Sequence, residues 1–251
     1  MFGWPCGRFR GPLLPSFIAQ SRGKLNGDKL RFGYHGLLYN PDGKCIEVPG
    51  QNVVPPEASV RIYPVAERYN LVWVWMGNPE QVDTATIPNL HWLDDPNFLT
   101  KPGYLHLAYS YQLMKDNLLD LSHLTFLHSQ TIGAPGNAET AAKVERSGNS
   151  VTVSRWMMDI PPSPTWKQLG IFDGNVDRCQ IVNWKLGPST VSIDLSGAPA
   201  GTGGPNGVRG NGIEMYNLSI VTPETRNSSH YLWSQALGPG INGKLELNDF
   251  F

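Results

Sequence analysis

Alternating apolar and polar positions recur along most of the chain and predict short β-strands. A strand with one buried face shows this period-two pattern, and it is found in residues 151–156, 180–184, 191–195, 214–221 and 230–233. Nearer the beginning, residues 71–76 are β-branched and aromatic and end at a Gly-Asn-Pro turn, which predicts a buried strand. Residues 39–44 contain Pro and Asp-Gly, which predicts a hairpin connection.

One segment departs from this alternation and predicts a helix. A strand-like stretch over residues 104–111 leads into residues 116–128, which are helical in type. The stretch 198–205, rich in glycine and proline, is predicted to be a loop, and residues 80–88 are predicted to be a linker. The pattern therefore predicts an α+β fold. It comprises a small β domain over residues 1–85 and a larger domain over residues 86–251, in which a central helix packs on an antiparallel sheet.

Composition restricts the classes of partner. The 251 residues are 40% hydrophobic and 16% charged, as in ordinary globular proteins. A net charge of −1 offers no electrostatic footprint for nucleic acid, and no apolar run approaches the ~18 residues of a membrane span. The three cysteines are odd in number and scattered, so we expect no disulfide framework and a cytoplasmic location.

The candidate chemistry lies in the predicted helix. His123 and His128 stand five residues apart, with Asp120 three residues before the first and Asn117 three residues earlier still. Two histidines and one carboxylate with open positions are typical of non-heme Fe(II). Asn117, Asp120 and His123 are predicted to share one helix face. Because His128 lies ~140° from His123 around an ideal helix, both reach one metal only if the helix ends or distorts between them.

Other interpretations of these residues remain open. The two histidines could be helix residues that form hydrogen bonds in a core, and Asp120 could do no more than orient them. A zinc hydrolase is a further alternative, but the glutamate base of H-E-x-x-H is absent. We expect no metal role for His91, His106 and His230, because no second ligand lies at a usable spacing from any of them.

The N-x2-D-x2-H-x4-H segment resembles the mononuclear iron motif of the Rieske non-heme iron oxygenases. The similarity continues in residues 28–37, 45–51 and 71–77, which resemble the end of the Rieske domain and its following strands. Four further segments resemble the catalytic domain of the vanillate O-demethylase oxygenase branch: residues 163–164, 176–178, 198–203 and 222–225. The resemblance runs from about residue 22 to about residue 237.

This resemblance implies two metal centres with different roles. A ferredoxin- or flavin-type reductase would pass electrons to a [2Fe–2S] cluster held by two cysteines and two histidines. The cluster would feed a mononuclear Fe(II) that activates O2 beside an aromatic substrate. The resemblance makes His123 and His128 iron ligands and puts Asn117 close to the iron. Asp120 would accept a hydrogen bond from a cluster histidine of a neighbouring subunit, which implies a homotrimer.

The sequence departs from the family at both metal centres. The second half of the cluster motif, C-x2-H, is Phe-Gly-Tyr-His here, with Phe32 at the cysteine position and His35 retained. Cys6 is the one cysteine near the first half, and no histidine follows it at the required spacing. A stable cluster is therefore not expected in the chain as written. The third iron ligand of the family is a C-terminal aspartate, for which Asp249 is the nearest candidate.

Two hypotheses follow. The first is the oxygenase component of a Rieske-type aromatic O-demethylase or monooxygenase, with residues 1–85 as a Rieske domain and residues 86–251 as a catalytic domain. The second is a cluster-less, non-catalytic remnant that binds an aromatic ligand. In both cases we expect a fragment, with an incomplete or corrupted N-terminus and a truncated C-terminus.

Overall fold

The computed structural model describes residues 23–134, 136–168, 170, 172–185, 190–202, 204 and 212–238. Within these ranges the protein consists of antiparallel sheets with few helices, which confirms the predicted α+β class. The chain divides into two compact units, Met1–Ala85 and Thr86–Phe251. None of the described helices combines the length and the apolar character needed to cross a bilayer.

The first unit contains a four-stranded antiparallel sheet and a two-stranded ribbon. The sheet strands are β1 (Lys24–Asn26), β2 (Lys29–Arg31), β3 (Leu38–Tyr39) and β4 (Cys45–Glu47), and the ribbon strands are β5 (Val65–Arg68) and β6 (Leu71–Val74). β3 pairs with β4, so the predicted hairpin is confirmed. Its turn requires Gly43, which has a φ of 76° and where a Cβ would lie 2.5 Å from the carbonyl oxygen of Val60.

The predicted burial of the strand in residues 71–76 is wrong. Val72 is 54% exposed and Val74 is 47% exposed. Among the described residues β6 pairs only with β5, and a two-stranded ribbon does not bury both of its faces. Hydrophobic content alone does not reveal whether another layer covers a strand.

The second unit is built on one antiparallel sheet, and all five strands predicted from alternation are present in it. The order across the sheet is β7-β14-β13-β11-β10-β9-β8, with β12 pairing separately with β10. The strands are β7 (Leu99–Leu107), β8 (Lys143–Ser147), β9 (Ser150–Ile160), β10 (Val176–Lys185), β11 (Thr190–Asp194), β12 (Gly197–Pro199), β13 (Met215–Pro223) and β14 (Ser229–Leu237).

Two boundaries differ from the prediction because proline and glycine occur inside strands. β7 begins at Leu99 and ends before residue 111, although it contains Pro102 and Gly103. It lies at the sheet edge, where proline is tolerated, and the indole of the cross-strand Trp233 occupies the space beside Gly103. The predicted loop 198–205 likewise begins with the last two residues of β12.

The helices of the second unit are α1 (Tyr111–Leu119), α2 (Leu124–Leu127) and α3 (Pro164–Gln168), with a 3-10 turn at Leu121–His123. The predicted central helix over residues 116–128 is therefore an interrupted one. Its apolar side packs on the sheet through a cluster of buried residues, namely Leu118, Leu121, Leu124, Val182, Val191 and Ile193. The core thus attaches α1, the 3-10 turn and α2 to strands β10 and β11.

Candidate metal and ligand site

The chain changes direction at Asp120, between α1 and the 3-10 turn. Asp120 has extended backbone angles (φ −110°, ψ 97°), and its Oδ1 accepts a hydrogen bond from the Ser122 amide at 3.0 Å. Asp is a favoured N-cap residue because it satisfies such an amide. The predicted single helix face for Asn117, Asp120 and His123 is therefore wrong: Asn117 and His123 line a cavity, whereas the Asp120 side chain is 69% exposed.

The helical path also ends between the two histidines, which brings their rings together. His123 closes the 3-10 turn, α2 ends at Leu127, and His128 follows with φ −116° and ψ 24°. The ring centroids of His123 and His128 are 5.6 Å apart, with a 64° angle between the ring planes. The interruption of the helix that a shared metal would require is thus present in this segment.

The protonation of His123 follows from its hydrogen bond. Its Nδ1 lies 2.7 Å from the carbonyl oxygen of Asp120. A carbonyl oxygen only accepts hydrogen bonds, so Nδ1 carries the proton and donates it. The lone pair of Nε2 is then available for a metal, as in many histidine-metal sites where a backbone carbonyl selects the tautomer.

His128 is oriented through its backbone. Its carbonyl oxygen accepts hydrogen bonds from the amides of Thr131 at 3.0 Å and Gly133 at 2.8 Å. These bonds close a turn over residues 128–133 directly after α2. A Cβ on Gly133 would overlap the carbonyl oxygens of Leu124 and His128, so this close turn requires glycine.

Both histidines border a cavity of about 480 Å³ in the second unit, a volume within the range of small-molecule sites. Its apolar wall comes from the helical segment and the sheet, and its polar groups are amides, hydroxyls and imidazoles. The lining residues are Asn117, Leu118, Leu121, His123, Leu124, His128, Thr131, Ile132, Thr165, Gln168, Ile193, Leu195, Met215, Tyr216, Asn217, Tyr231 and Gln235.

The polar lining from the sheet was missed by the sequence analysis. Ile193, Asn217 and Gln235 pair across β11, β13 and β14 and form one row under the cavity. Tyr231 lies further along β14, and burial raises the pKa of its hydroxyl, which is 3.2 Å from the Ser219 hydroxyl. The sequence does show polar side chains at alternate positions of these strands. Alternation alone does not reveal which face of the sheet borders a cavity.

The border of the cavity offers two imidazole donors, His123 and His128. Two imidazoles that face one cavity fit a mononuclear iron, yet the described residues contain no group of three His, Cys, Asp or Glu side chains that could hold a metal. Asp120 is ionised: the hydrogen bond from the Ser122 amide, followed by that from the Ser122 side chain, lowers the pKa of its carboxyl. Asp249, the candidate third ligand, lies outside the described residues.

The described part of the first unit does not fit a [2Fe–2S] cluster. Phe32, at the position of a cysteine ligand, is 8% exposed and packs in an apolar core with Leu37, Tyr39, Cys45 and Val60. His35 is exposed and touches the Tyr34 ring. Burial raises the pKa of the Cys45 thiol, which disfavours the thiolate that binds iron. Cys6 lies outside the described residues.

Comparison with known proteins identifies relatives over most of the chain. A family model for the vanillate O-demethylase oxygenase C-terminal domain matches residues 108–245, more than half of the chain. The iron-sulfur subunit of the toluene-4-sulfonate monooxygenase system of Comamonas testosteroni is 40% identical over 218 residues. That match covers 85% of this chain and 62% of the relative, so the chain spans less than two thirds of that protein.

Two further matches agree with the first. The vanillate O-demethylase oxygenase subunit of Pseudomonas sp. (strain ATCC 19151) is 33% identical, over 86% of this chain and 67% of the relative. A crystal structure of dicamba monooxygenase with non-heme iron and dicamba is 28% identical and superposes with a TM-score of 0.75. The superposition covers 93% of this chain and 65% of that one.

Proposed function

Because this chain belongs to the vanillate O-demethylase oxygenase family, we propose that it acts as the oxygenase component of an aromatic O-demethylase or monooxygenase, with Thr86–Phe251 as its catalytic domain. The observation that carries the proposal is the pair of imidazoles, 5.6 Å apart, at the border of a cavity of about 480 Å³. The non-heme iron of a solved relative supports the same assignment.

In this proposal His123 and His128 would hold Fe(II). The Nε2 atom of His123 is the ring nitrogen left for the metal, because Nδ1 donates a hydrogen bond to the Asp120 carbonyl oxygen. When bound, the iron would supply O2 activation for oxidation of a methyl or methoxy carbon of the substrate. Leucine side chains of α1, the 3-10 turn and α2 exclude water from one side of the substrate. Asn217 and Gln235 orient a polar substituent of the aromatic ring from the sheet.

The exposed carboxylate of Asp120 suits a contact with another subunit. Its Oδ1 accepts a hydrogen bond from the Ser122 amide, and the side chain is 69% exposed to solvent. We therefore assign Asp120 to the contact between protomers of a homotrimer and Asn117 to the border of the iron site. Electrons come from a ferredoxin- or flavin-type reductase, and we assign the protein to the cytoplasm. These partners are proposed from family membership. The chain spans less than two thirds of the length of two of the relatives it matches.

Metal binding by histidine variants tests the proposal. Equilibrium dialysis of the purified chain against Fe(II) without oxygen should detect one site, which His123→Ala and His128→Ala each weaken by at least about tenfold because a ligand is removed. His106→Ala is the matched control, because His106 is a histidine of the same unit that instead contacts Glu224 at 2.8 Å. Equal iron binding in all four proteins would contradict the proposal.

A second candidate function is aromatic-ligand binding without turnover. The burial of Phe32 in an apolar core, at a cluster-ligand position, favours it. After anaerobic reconstitution with iron and sulfide, this candidate predicts no acid-labile sulfide and no turnover with any reductase, while the cavity still binds an aromatic acid. Turnover driven by a reductase in the unmodified chain would exclude it.

A further inference from the structure

Arg178, in β10, is a buried cation. The residue is 2% exposed, forms no ion pair with a described carboxylate, and leaves its Nε without a hydrogen-bond partner. Its guanidinium lies 4.6 Å from the centre of the Trp166 ring. Burial lowers the pKa of Arg178 to about 10, so the group still carries its charge at neutral pH.

The hydrogen bond from this guanidinium reaches the turn that follows α2. Nη1 of Arg178 donates to the carbonyl oxygen of Ile132 at 3.0 Å, across 46 residues of sequence. Ile132 lies between Thr131 and Gly133, whose amides both donate to the carbonyl oxygen of His128. The charge-assisted hydrogen bond from Arg178 therefore restrains Ile132, which lies between Thr131 and Gly133, the two residues whose amides bind the His128 carbonyl oxygen.

The same turn is fixed from a second side. The amide of Thr165, in α3, donates to the carbonyl oxygen of Thr131 at 3.1 Å. The next residue of α3 is Trp166, whose ring contacts Arg178. Arg178 thus contacts both the 128–133 turn and α3, the helix that donates a hydrogen bond to this turn. Thr131, Ile132 and Thr165 all line the cavity.

A buried charge without a carboxylate partner lowers stability, and an apolar side chain of similar volume would fill the space beside Trp166 at a smaller cost. An apolar side chain could not hold the Ile132 carbonyl. We propose that Arg178 is a positioning residue of the metal site, which holds the 128–133 turn so that the His128 imidazole faces that of His123. This inference rests on the proposed metal role of the two histidines.

Co²⁺ titration of the full chain, followed by visible absorption, tests the inference. Arg178→Met keeps the apolar stem but removes the donor and the charge, and it should weaken Co²⁺ binding by about tenfold or more. Gln180→Met is the matched control: Gln180 lies two residues along β10, is 1% exposed, and has no hydrogen bond to the turn. It should leave Co²⁺ affinity unchanged. Arg178→Lys restores a charged donor and should recover part of the loss.

Amide hydrogen exchange supplies a readout independent of metal. Peptides that cover residues 128–134 should exchange faster in Arg178→Met and in Arg178→Lys than in the wild type, whereas those of α1 should not change. If Arg178→Met does not fold, Arg178→Lys is measured in the same two ways.

The outcomes separate the inference from the proposed function. Wild-type affinity and wild-type exchange in the Arg178 variants, with His123→Ala still deficient, would overturn the role of Arg178 alone. Equal losses in Arg178→Met and Gln180→Met would overturn it as well, because the effect would then be general to buried β10 residues. Absence of Co²⁺ binding in the wild type would overturn the proposed function and the inference together.

Discussion

At the residue scale, Asp120 illustrates how a single side chain decides the local path of the chain. Its carboxylate accepts a hydrogen bond from the Ser122 amide, and its carbonyl oxygen accepts a hydrogen bond from Nδ1 of His123. A cap of this kind ends one helix and starts the next turn, so Asp120 shapes the site without lining its cavity. The sequence pattern favoured one continuous helix because leucines occur on both sides of Asp120. Hydrophobic periodicity does not reveal a capping residue inside a helical segment.

Substitution of Asp120 should separate its capping role from its charge. Asp120→Ala should lower the free energy of unfolding at pH 7 by about 1 kcal/mol, whereas Asp120→Asn should change it by only a few tenths because Asn also caps. Thermal and urea unfolding of the three proteins would measure this difference. A loss as large in Asp120→Asn as in Asp120→Ala would contradict the capping role.

The pH dependence of the same variants has a defined sign. Hydrogen bonds from Ser122 lower the pKa of the Asp120 carboxyl in the folded protein. A lowered folded-state pKa contributes stability that is present above the unfolded-state pKa and is lost as the pH falls through the folded-state pKa. The stability difference between wild type and Asp120→Ala should therefore shrink on acidification. A difference that grows at acidic pH would contradict this account.

At the element scale, the strands were predictable and the turns were not. β9, β10, β11, β13 and β14 each alternate between the two faces of the sheet, and the sequence carries that alternation directly. The 128–133 turn also accepts hydrogen bonds from Arg178 and Thr165, which lie far along the chain. No local pattern encodes such contacts, which is why the sequence located the histidines but not the residues that orient them.

Gly133 offers a test of this turn. Gly133→Ala would push a Cβ against backbone carbonyl oxygens, one of them that of His128 at 2.8 Å. Overpacking of this kind should lower the free energy of unfolding by about 1–3 kcal/mol and weaken metal binding, as unfolding and Co²⁺ titrations would measure. Gly174→Ala is the matched control, because a Cβ there meets nothing within 4 Å. Similar effects of both substitutions would argue against a special role for the turn.

At the scale of the whole molecule, the two units differ in how well they fit the metals of the family. The second unit brings two imidazoles to a ligand-sized cavity. The described part of the first unit instead fills the cluster-ligand position with buried Phe32. The sequence alone already displays the two histidines and the phenylalanine at the cysteine position, because metal ligands are chemically specific residues. It does not display the cavity wall, because residues of three strands form that wall only after the sheet has folded.

His123 and His128 are proposed to bind one iron ion. Anomalous diffraction at the iron edge, from crystals of the full chain grown with Fe(II) without oxygen, tests this proposal most directly. We expect an iron peak within bonding distance of Nε2 of His123 and of a ring nitrogen of His128, beside the cavity. The absence of iron at these two imidazoles, in crystals where the cavity is accessible to solvent, would contradict the proposal.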